Sequence, residues 1–257
     1  MTNTRGTFIA FEGIDGSGKG TQIRRLKKHL EKLGLPVFRT AEPNDSPIGS
    51  LIHQIMIGRI KTTNDVIAAL FVADRLDHIQ NETNGLLKFI NQGVNVIADR
   101  YYFSSYAYQS VDLPMDWIIN ANKPCAELLR PDVTVFIDVD PEVTMARIEQ
   151  NRMTKELFEE TGRLVETRKR YFEAFERLRD TERVLIINGD RDPDEVAEDV
   201  WEQLRGYYGQ WKEEETGDGE RFCRTVTRLL SPLSHNKEHS HCKGKVPSKI
   251  FWQTNKM

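Results

Sequence analysis

The chain carries the stretch Gly13-Ile14-Asp15-Gly16-Ser17-Gly18-Lys19-Gly20-Thr21 between an apolar run and a helical pattern. Residues 7–11 before it are β-branched and aromatic, as in a buried strand, and residues 22–33 after it place their apolar side chains on one helical face. Glycines let the backbone curl so that its N–H groups converge on phosphate oxygens at a helix N-terminus. Lys19 lies at the position from which an ammonium group reaches the outer phosphates of a bound nucleotide. The stretch therefore predicts a nucleotide-phosphate loop.

Strand-like apolar runs alternate with helical stretches along the rest of the chain. The runs cover residues 7–11, 36–39, 94–98, 133–137 and 184–187. Such alternation favours right-handed crossovers and a parallel sheet with helices on both faces. We therefore predict an α/β fold of the P-loop NTPase type with a five-stranded parallel sheet. Ligands bind beyond the carboxyl ends of the strands in such sheets.

Composition and charge exclude several classes of function. The 257 residues include 36 Lys and Arg against 39 Asp and Glu, a net charge of −3, which gives no reason to expect nucleic acid or a membrane surface as a partner. The first strand pattern starts at residue 7, and no apolar run approaches the roughly 18 residues of a membrane span, so we expect neither a secretory leader nor a membrane helix. Three cysteines make no disulfide framework. We expect a cytoplasmic protein.

The composition changes after the last helical pattern, residues 193–211. Residues 213–219 are acidic and glycine-rich, which indicates a linker. Four residues beyond it are conceivable metal ligands: His235, His239, His241 and Cys242. No second cysteine pair completes a zinc pattern with them. We therefore predict one folded domain over residues 1–212 and a disordered tail over residues 213–257.

A second signature lies at the end of the third apolar run, where Asp99 and Arg100 follow the strand. In phosphate-loop enzymes an acid in this place holds Mg²⁺ directly or through water, whereas an ion pair at the strand end is the alternative. The continuation over residues 99–109, Asp-Arg-Tyr-Tyr-Phe-Ser-Ser-Tyr-Ala-Tyr-Gln, closely resembles the Asp-Arg-Tyr…Ser…Ala-Tyr-Gln segment of thymidylate kinases.

Four other segments resemble the same family in the same order. They are the glycine-rich loop with its acid at Asp15, Glu-Pro at 42–43 with Pro-Ile-Gly at 47–49, Leu-Phe-Val-Ala-Asp-Arg at 70–75, and residues 130–142. The resemblance covers residues 6–210. It implies a helical lid, a homodimer, and transfer of the γ-phosphoryl group of ATP to dTMP with Mg²⁺, which gives dTDP for dTTP biosynthesis.

The resemblance also implies which residues bind the acceptor nucleotide. Phe71 would stack on thymine, and Arg75, four residues later on the same helical face, would donate to a pyrimidine carbonyl. Taken alone, Phe71 is equally compatible with a place in the core. Ser105 would bond the pyrimidine edge, and Tyr108 would leave no room for a 2′-hydroxyl. The resemblance makes Glu42 a further expected substrate contact.

On the phosphate side, the resemblance implies that residues 13–21 bind ATP and that residues 188–190 flank adenine. Lys19, Asp15 and Arg100 would be catalytic, with Arg100 holding the acceptor phosphate as a planar fork. Asp15 would lie near the 3′-hydroxyl and the metal, and Thr21 with Asp99 would hold the Mg²⁺.

The implied lid covers about residues 147–170 and is rich in basic side chains. The candidates are Arg147, Arg152, Lys155, Arg163 and Arg168. Any of them could instead belong to a solvated helix face. We select Arg152 and Arg163 as the catalytic lid residues.

The chain departs from the family pattern at three positions. Gly20 stands where the general loop motif has Ser or Thr, and the hydroxyl comes one residue later, at Thr21. Ala41 replaces the Arg that commonly precedes Glu-Pro, and Arg39, on the same strand face, is the expected substitute. Gly16 replaces an Arg that some relatives carry in the loop, and those lacking it use basic lid residues.

Three other functions are compatible with a phosphate loop. Adenylate kinases share the Gly-Lys-Gly-Thr variant, but the elements at Phe71, Arg75 and Tyr108 argue against them. A switch GTPase would read guanine with Asn-Lys-x-Asp, and Asn-Lys-Pro-Cys at residues 122–125 lacks the acid. A non-catalytic nucleotide-binding module is opposed by the intact Lys19, Asp99 and Arg100.

Overall fold

The central feature of the fold is a parallel sheet with buried inner strands. This computed structural model describes residues 5–151, 161–208, 213–215 and 221–223. The sheet strands are β1 (Phe8–Glu12), β2 (Val37–Ala41), β3 (Asn95–Asp99), β4 (Val133–Asp138) and β5 (Val184–Asn188). They lie in the order β2-β3-β1-β4-β5, and every neighbouring pair is parallel. The predicted five-stranded α/β sheet is confirmed.

Helices fill the connections between the strands. They are α1 (Lys19–Lys32), α2 (Pro47–Met56), α3 (Asn64–Gln80), α4 (Leu86–Asn91), α5 (Tyr102–Tyr108), α6 (Met115–Leu128), α7 (Pro141–Asn151), α8 (Thr161–Leu178) and α9 (Pro193–Leu204). Among the described helices, none is both long enough and apolar enough to cross a membrane.

The core has two apolar clusters, and β1 contributes to both. Phe8 and Ala10 belong to one cluster, whereas Ile9 and Phe11 belong to the other. Successive side chains of a strand point to opposite faces of its sheet, so the two clusters lie on the two sides of the sheet. This two-sided burial explains why the strands appear in the sequence as continuous apolar runs.

Two predicted helix boundaries were wrong. The helix predicted over residues 22–33 begins already at Lys19, because Gly18, with φ +89°, turns the chain directly from the loop into the first helical turn. The last helix ends at Leu204 rather than near Trp211 and continues as a 3₁₀ turn over Arg205–Tyr208. Gly206 lies in that turn, and glycine is a poor helix former.

The predicted lid over about residues 147–170 begins in α7 and ends in α8, and residues 152–160 lie outside the described residues. In the predicted tail, β6 (Glu213–Glu215) and β7 (Arg221–Cys223) form an antiparallel pair separate from the main sheet. The linker role of residues 213–219 stays a prediction. Disorder of the remaining tail stays a prediction.

Candidate active site

The phosphate loop connects the buried strand β1 to α1. The Nζ of Lys19 donates to the carbonyl oxygens of Gly13, at 2.9 Å, and Ile14, at 3.0 Å. These two bonds hold the loop closed around the ammonium. Burial, together with the charge of Arg100, lowers the pKa of Lys19 to about 8 against the opposing effect of nearby carboxylates.

The structure explains why Gly16 occupies a loop position where some members of the resembling family carry arginine. Its φ is +79°, and a Cβ built on it would lie 2.7 Å from the carbonyl oxygen of Thr144 in α7. A residue with a side chain would therefore be strained and would also push α7 away from the loop. The structure therefore disfavours an arginine at this position of the loop.

One cavity of about 640 Å³ joins the loop to the predicted nucleotide-reading residues. Its lining includes Asp15, Gly16, Gly18, Lys19, Gly20, Thr21, Glu42, Phe71, Arg75, Asp99, Arg100, Ser105 and Tyr108. These residues come from β3, α1, α3 and α5 and from the loops that follow β1, β2 and β3. Ile14 is fully buried in the core instead, so it contributes backbone rather than a side chain to the loop.

Arg100 is held in a dense set of hydrogen bonds. Its Nη2 donates to Asp15 Oδ1 at 2.6 Å and to the Tyr108 hydroxyl at 3.0 Å, and its Nη1 donates to the carbonyl oxygen of Gly13 at 3.1 Å. Its backbone has φ +72°, a region that residues other than glycine rarely adopt. Burial opposes ionisation of Asp15, but the charges of Arg100 and Lys19 prevail and lower its pKa.

The Tyr108 hydroxyl connects Arg100 to the loop. It donates to Asp15 Oδ2 at 2.9 Å and accepts the backbone N–H of Asp15 at 3.1 Å as well as the bond from Arg100. The guanidinium carbon of Arg100 also lies 4.8 Å from the centre of the Tyr108 ring, which is within the range of a cation–π contact.

Arg75 is fully buried, with 1% of its surface exposed, and a polar network fixes its orientation. Its Nε and Nη2 each lie 2.7 Å from Glu42 Oε2, Nη2 donates to Ser105 Oγ at 3.2 Å, and Nη1 donates to Asn122 Oδ1. Glu42 also contacts His78 Nδ1 at 3.2 Å. Because a buried charge without its partner costs about 3–5 kcal/mol, Glu42 supports Arg75 in addition to lining the cavity.

Two oxygen ligands suited to Mg²⁺ lie at the start of α1 and the end of β3. Thr21 and Asp99 both line the cavity, and a Cβ on Gly20 would lie 3.9 Å from Asp99 Oδ2, so the carboxylate faces the loop. Hydroxyl and carboxylate oxygens fit a hard cation that keeps substrate oxygens and waters as its other ligands. Within the described residues, no group of three His, Cys, Asp or Glu could hold a metal by itself.

The predicted lid arginines are not brought to the loop in the described part of the chain. Arg163 forms an ion pair with Asp112 and lines neither cavity, whereas Arg152 lies outside the described residues. Arg147 lines a second cavity of about 250 Å³, together with Gly189 and Arg191. That cavity borders the phosphate loop through Ser17 and Gly18.

Sequence reasoning missed several residues of the site. Of the described residues, Arg24 lines the main cavity and donates to Thr21 Oγ1 at 3.0 Å, whereas Arg39, the expected substitute for the missing arginine, does not line it. Asn122 and Glu12 were also missed. Glu12 could have been recognised from the sequence, because an acid at the end of an otherwise apolar strand needs buried hydrogen-bond partners.

A parallel sheet whose first strand enters a glycine-rich phosphate loop, with a nucleotide-sized cavity beside it, defines a P-loop kinase of the nucleoside monophosphate class. A family model described as thymidylate kinase matches residues 11–200. The chain belongs to the thymidylate kinase family. Its members are phosphotransferases that use ATP to convert dTMP to dTDP.

Similar proteins come from bacteria and archaea. A "Probable thymidylate kinase" of Thermococcus gammatolerans is 34% identical over 205 residues, covering 76% of this chain and 94% of the relative. The "Thymidylate kinase" of Symbiobacterium thermophilum is 34% identical over 203 residues, covering 75% and 90%. A "Probable thymidylate kinase" of Pyrobaculum aerophilum is 36% identical over 201 residues, covering 77% and 96%.

Proposed function

We propose that this protein phosphorylates dTMP with ATP at the main cavity, with the site residues acting in the roles given below. One observation carries the proposal: Lys19 and Arg100 line the same cavity as Phe71, Arg75 and Tyr108. A phosphate loop alone suits many nucleotide enzymes. An aromatic ring and an oriented guanidinium beside that loop suit a pyrimidine base.

The acceptor nucleotide would lie between α3 and α5. Phe71 offers its ring to the face of thymine, while Arg75, oriented by Glu42 and Asn122, donates to a carbonyl oxygen of the base. Ser105 accepts from Arg75 and shares the base edge with it. Tyr108 packs against the sugar, where a ribose hydroxyl would lose its water and find no partner.

The transfer itself requires little covalent chemistry from the protein, since the acceptor oxygen of dTMP is already anionic. Positioning and neutralisation of charge are the main needs. Lys19 holds the outer phosphates of ATP, and Arg100 binds the acceptor phosphate through the guanidinium that Asp15 and Tyr108 hold in place. Lid residues Arg152 and Arg163 are proposed to add positive charge when the lid closes over the phosphates, which would also exclude water.

Thr21 and Asp99 are the residues that would hold Mg²⁺. When bound, the ion neutralises phosphate charge and aligns the phosphate oxygens. The hydrogen bond from Arg24 to Thr21 places a guanidinium beside this pair, and we propose that Arg24 contributes the positive charge that Gly16 and Ala41 do not. The second cavity, with Gly189 and Arg191, is proposed to take the adenine of ATP.

A homodimer and a cytoplasmic location complete the proposal. Large apolar side chains are exposed on α2, α3 and α6: Leu51, Val66, Trp117 and Leu128. Such side chains fit the face that a second copy would cover. Sedimentation velocity of the purified protein distinguishes a dimer from a monomer.

The experiment that tests the reaction is a coupled assay of ADP release with dTMP, dUMP, UMP, AMP and CMP as acceptors. The expected result is the highest kcat/KM with dTMP. A preference for AMP would support the adenylate kinase alternative. Nucleotide binding without turnover of any acceptor would support a non-catalytic module. The variant Lys19→Ala serves as the control for contaminating kinases.

A further inference from the structure

Glu12 is a buried acid that has no place in the roles assigned so far. It is the last residue of β1, directly before Gly13, and its exposed fraction is 0%. A carboxylate in such a position must be compensated by hydrogen-bond donors. Its partners therefore show what it does.

Four donors converge on the Glu12 carboxylate. Oε1 accepts the backbone N–H groups of Tyr101, at 2.8 Å, and Ser104, at 3.1 Å. Oε2 accepts the Ser104 hydroxyl at 2.6 Å and the Tyr171 hydroxyl at 2.8 Å. One side chain thereby joins the end of β1, the start of α5, and α8 at the base of the lid.

The same two hydroxyls face Arg100. Arg100 Nη1 lies 2.9 Å from Ser104 Oγ and 3.3 Å from the Tyr171 hydroxyl. The hydroxyl oxygens are 2.9 Å apart, so two protons are distributed over these oxygens and Oε2. An ionised carboxylate is the strongest acceptor of the three. It draws both protons to itself and leaves lone pairs on both hydroxyls for the guanidinium.

The backbone conformation of Arg100 is also held by the end of β1. Its N–H donates to the carbonyl oxygen of Phe11 at 2.8 Å, and the next N–H, of Tyr101, goes to Glu12. These two bonds pin both sides of a residue whose φ is +72°. A strained conformation persists only where its surroundings hold it.

We propose that Glu12 is a positioning residue that sets Arg100 for the acceptor phosphate, by turning the Ser104 and Tyr171 hydroxyls into acceptors for its guanidinium. Glu12 itself does not touch the nucleotides. The inference rests on the proposed role of Arg100 in binding the dTMP phosphate. The proposal predicts that a change at Glu12 affects the KM for dTMP far more than the KM for ATP, although Glu12 directly precedes the loop that binds ATP.

The variant Glu12→Gln tests this with almost no change in shape. The amide nitrogen would donate where Oε2 accepts, so the two hydroxyl protons would turn toward the N–H groups of Arg100. We expect the KM for dTMP to rise at least about tenfold, because a bond to a charged group is replaced by an opposed pair of donors. The KM for ATP should change by less than about threefold.

A double-mutant cycle separates positioning from general damage. In an Arg100→Gln background, Glu12→Gln should cost less than about twofold in kcat/KM for dTMP, since the residue it positions is gone. The matched control is Glu182→Gln. Glu182 is a half-buried acid whose side chain is 4% exposed. It accepts from Tyr102 at 2.7 Å and Arg130 at 2.9 Å and lies outside both cavities. It should leave the KM for dTMP unchanged.

The proposal is overturned if Glu12→Gln raises the KM values for dTMP and ATP alike, if its cost is the same with and without Arg100, or if Arg100→Gln leaves the KM for dTMP unchanged. Should Glu12→Gln fail to fold, Tyr171→Phe removes one of the two hydroxyls and must raise the KM for dTMP in the same direction. Lack of dTMP turnover by the unmodified protein would instead refute the proposed function, and calorimetric dTMP binding would still test the role of Glu12.

Discussion

Replacing Tyr108 separates the two contributions that its side chain makes to the site. The hydroxyl bonds Asp15 and Arg100, while the ring, 5% exposed, is the group proposed to exclude a ribose hydroxyl. Tyr108→Phe removes the first contribution and keeps the second. Tyr108→Ala removes both.

The magnitudes follow from the partners. Tyr108→Phe removes one hydrogen bond from the guanidinium of Arg100 and two from Asp15, one at its carboxylate and one at its backbone N–H. A bond to a charged group contributes about 1.5–3 kcal/mol. At 1.4 kcal/mol per decade, kcat/KM for dTMP should fall about 10- to 100-fold. The ratio between dTMP and its ribose analogue should not change. In Tyr108→Ala, by contrast, that ratio should narrow about 10- to 100-fold, because about 1–3 kcal/mol of desolvation penalty on the 2′-hydroxyl is relieved.

The assay measures coupled ADP release with dTMP and its ribose analogue for both variants. Tyr106→Phe is the matched control, because Tyr106 is a buried tyrosine of the same helix that lines neither cavity. If Tyr108→Ala lowers both activities equally and leaves the ratio intact, the ring does not read the sugar. Asp15 would then be the next residue to test.

The other predictions concern the loop and the tail. Lys19→Ala should reduce turnover by orders of magnitude with an unchanged far-UV spectrum, since its ammonium contacts the loop carbonyls and is proposed to hold phosphate. With the pKa of Lys19 at about 8, the free enzyme loses the ammonium charge above that pH, so kcat/KM for ATP should fall there. The control variant Lys123→Met, at an exposed site, should leave the dependence of kcat/KM on pH unchanged. Gly16→Ala should lower the free energy of unfolding in urea by more than the roughly 1–2 kcal/mol that a left-handed alanine costs, because a carbonyl oxygen of α7 lies 2.7 Å from the new Cβ. In the control Gly34→Ala, where φ is +76° and the space is open, only the cost of the left-handed backbone should be seen. Removal of residues 213–257 should preserve both activity and melting temperature, and a large fall in either would show that the tail supports the domain.

Local sequence was sufficient for the phosphate loop and the sheet. A short apolar run, glycines at fixed spacing, a lysine and an amphipathic pattern are neighbours in the chain, so their geometry depends on backbone preferences over about twenty residues. The inner strands β1, β3 and β4 were visible because both of their faces are buried. Phe71, Arg75 and Tyr108 were found through short motifs, and the fold brings them to one cavity.

Only the tertiary structure decided which side chains from distant segments meet. Glu12 accepts a hydrogen bond from Tyr171, which lies 159 positions later in the chain. Arg75 donates one to Asn122, which lies 47 positions later. Arg163 pairs with Asp112, 51 positions earlier in the chain. Hydrophobic periodicity shows which face of an element is buried but not which element covers it, because that depends on how the crossovers stack helices on the sheet. Hydrogen-bond partners across such contacts therefore leave little trace in a single sequence, beyond an isolated charge such as Glu12 in an apolar strand.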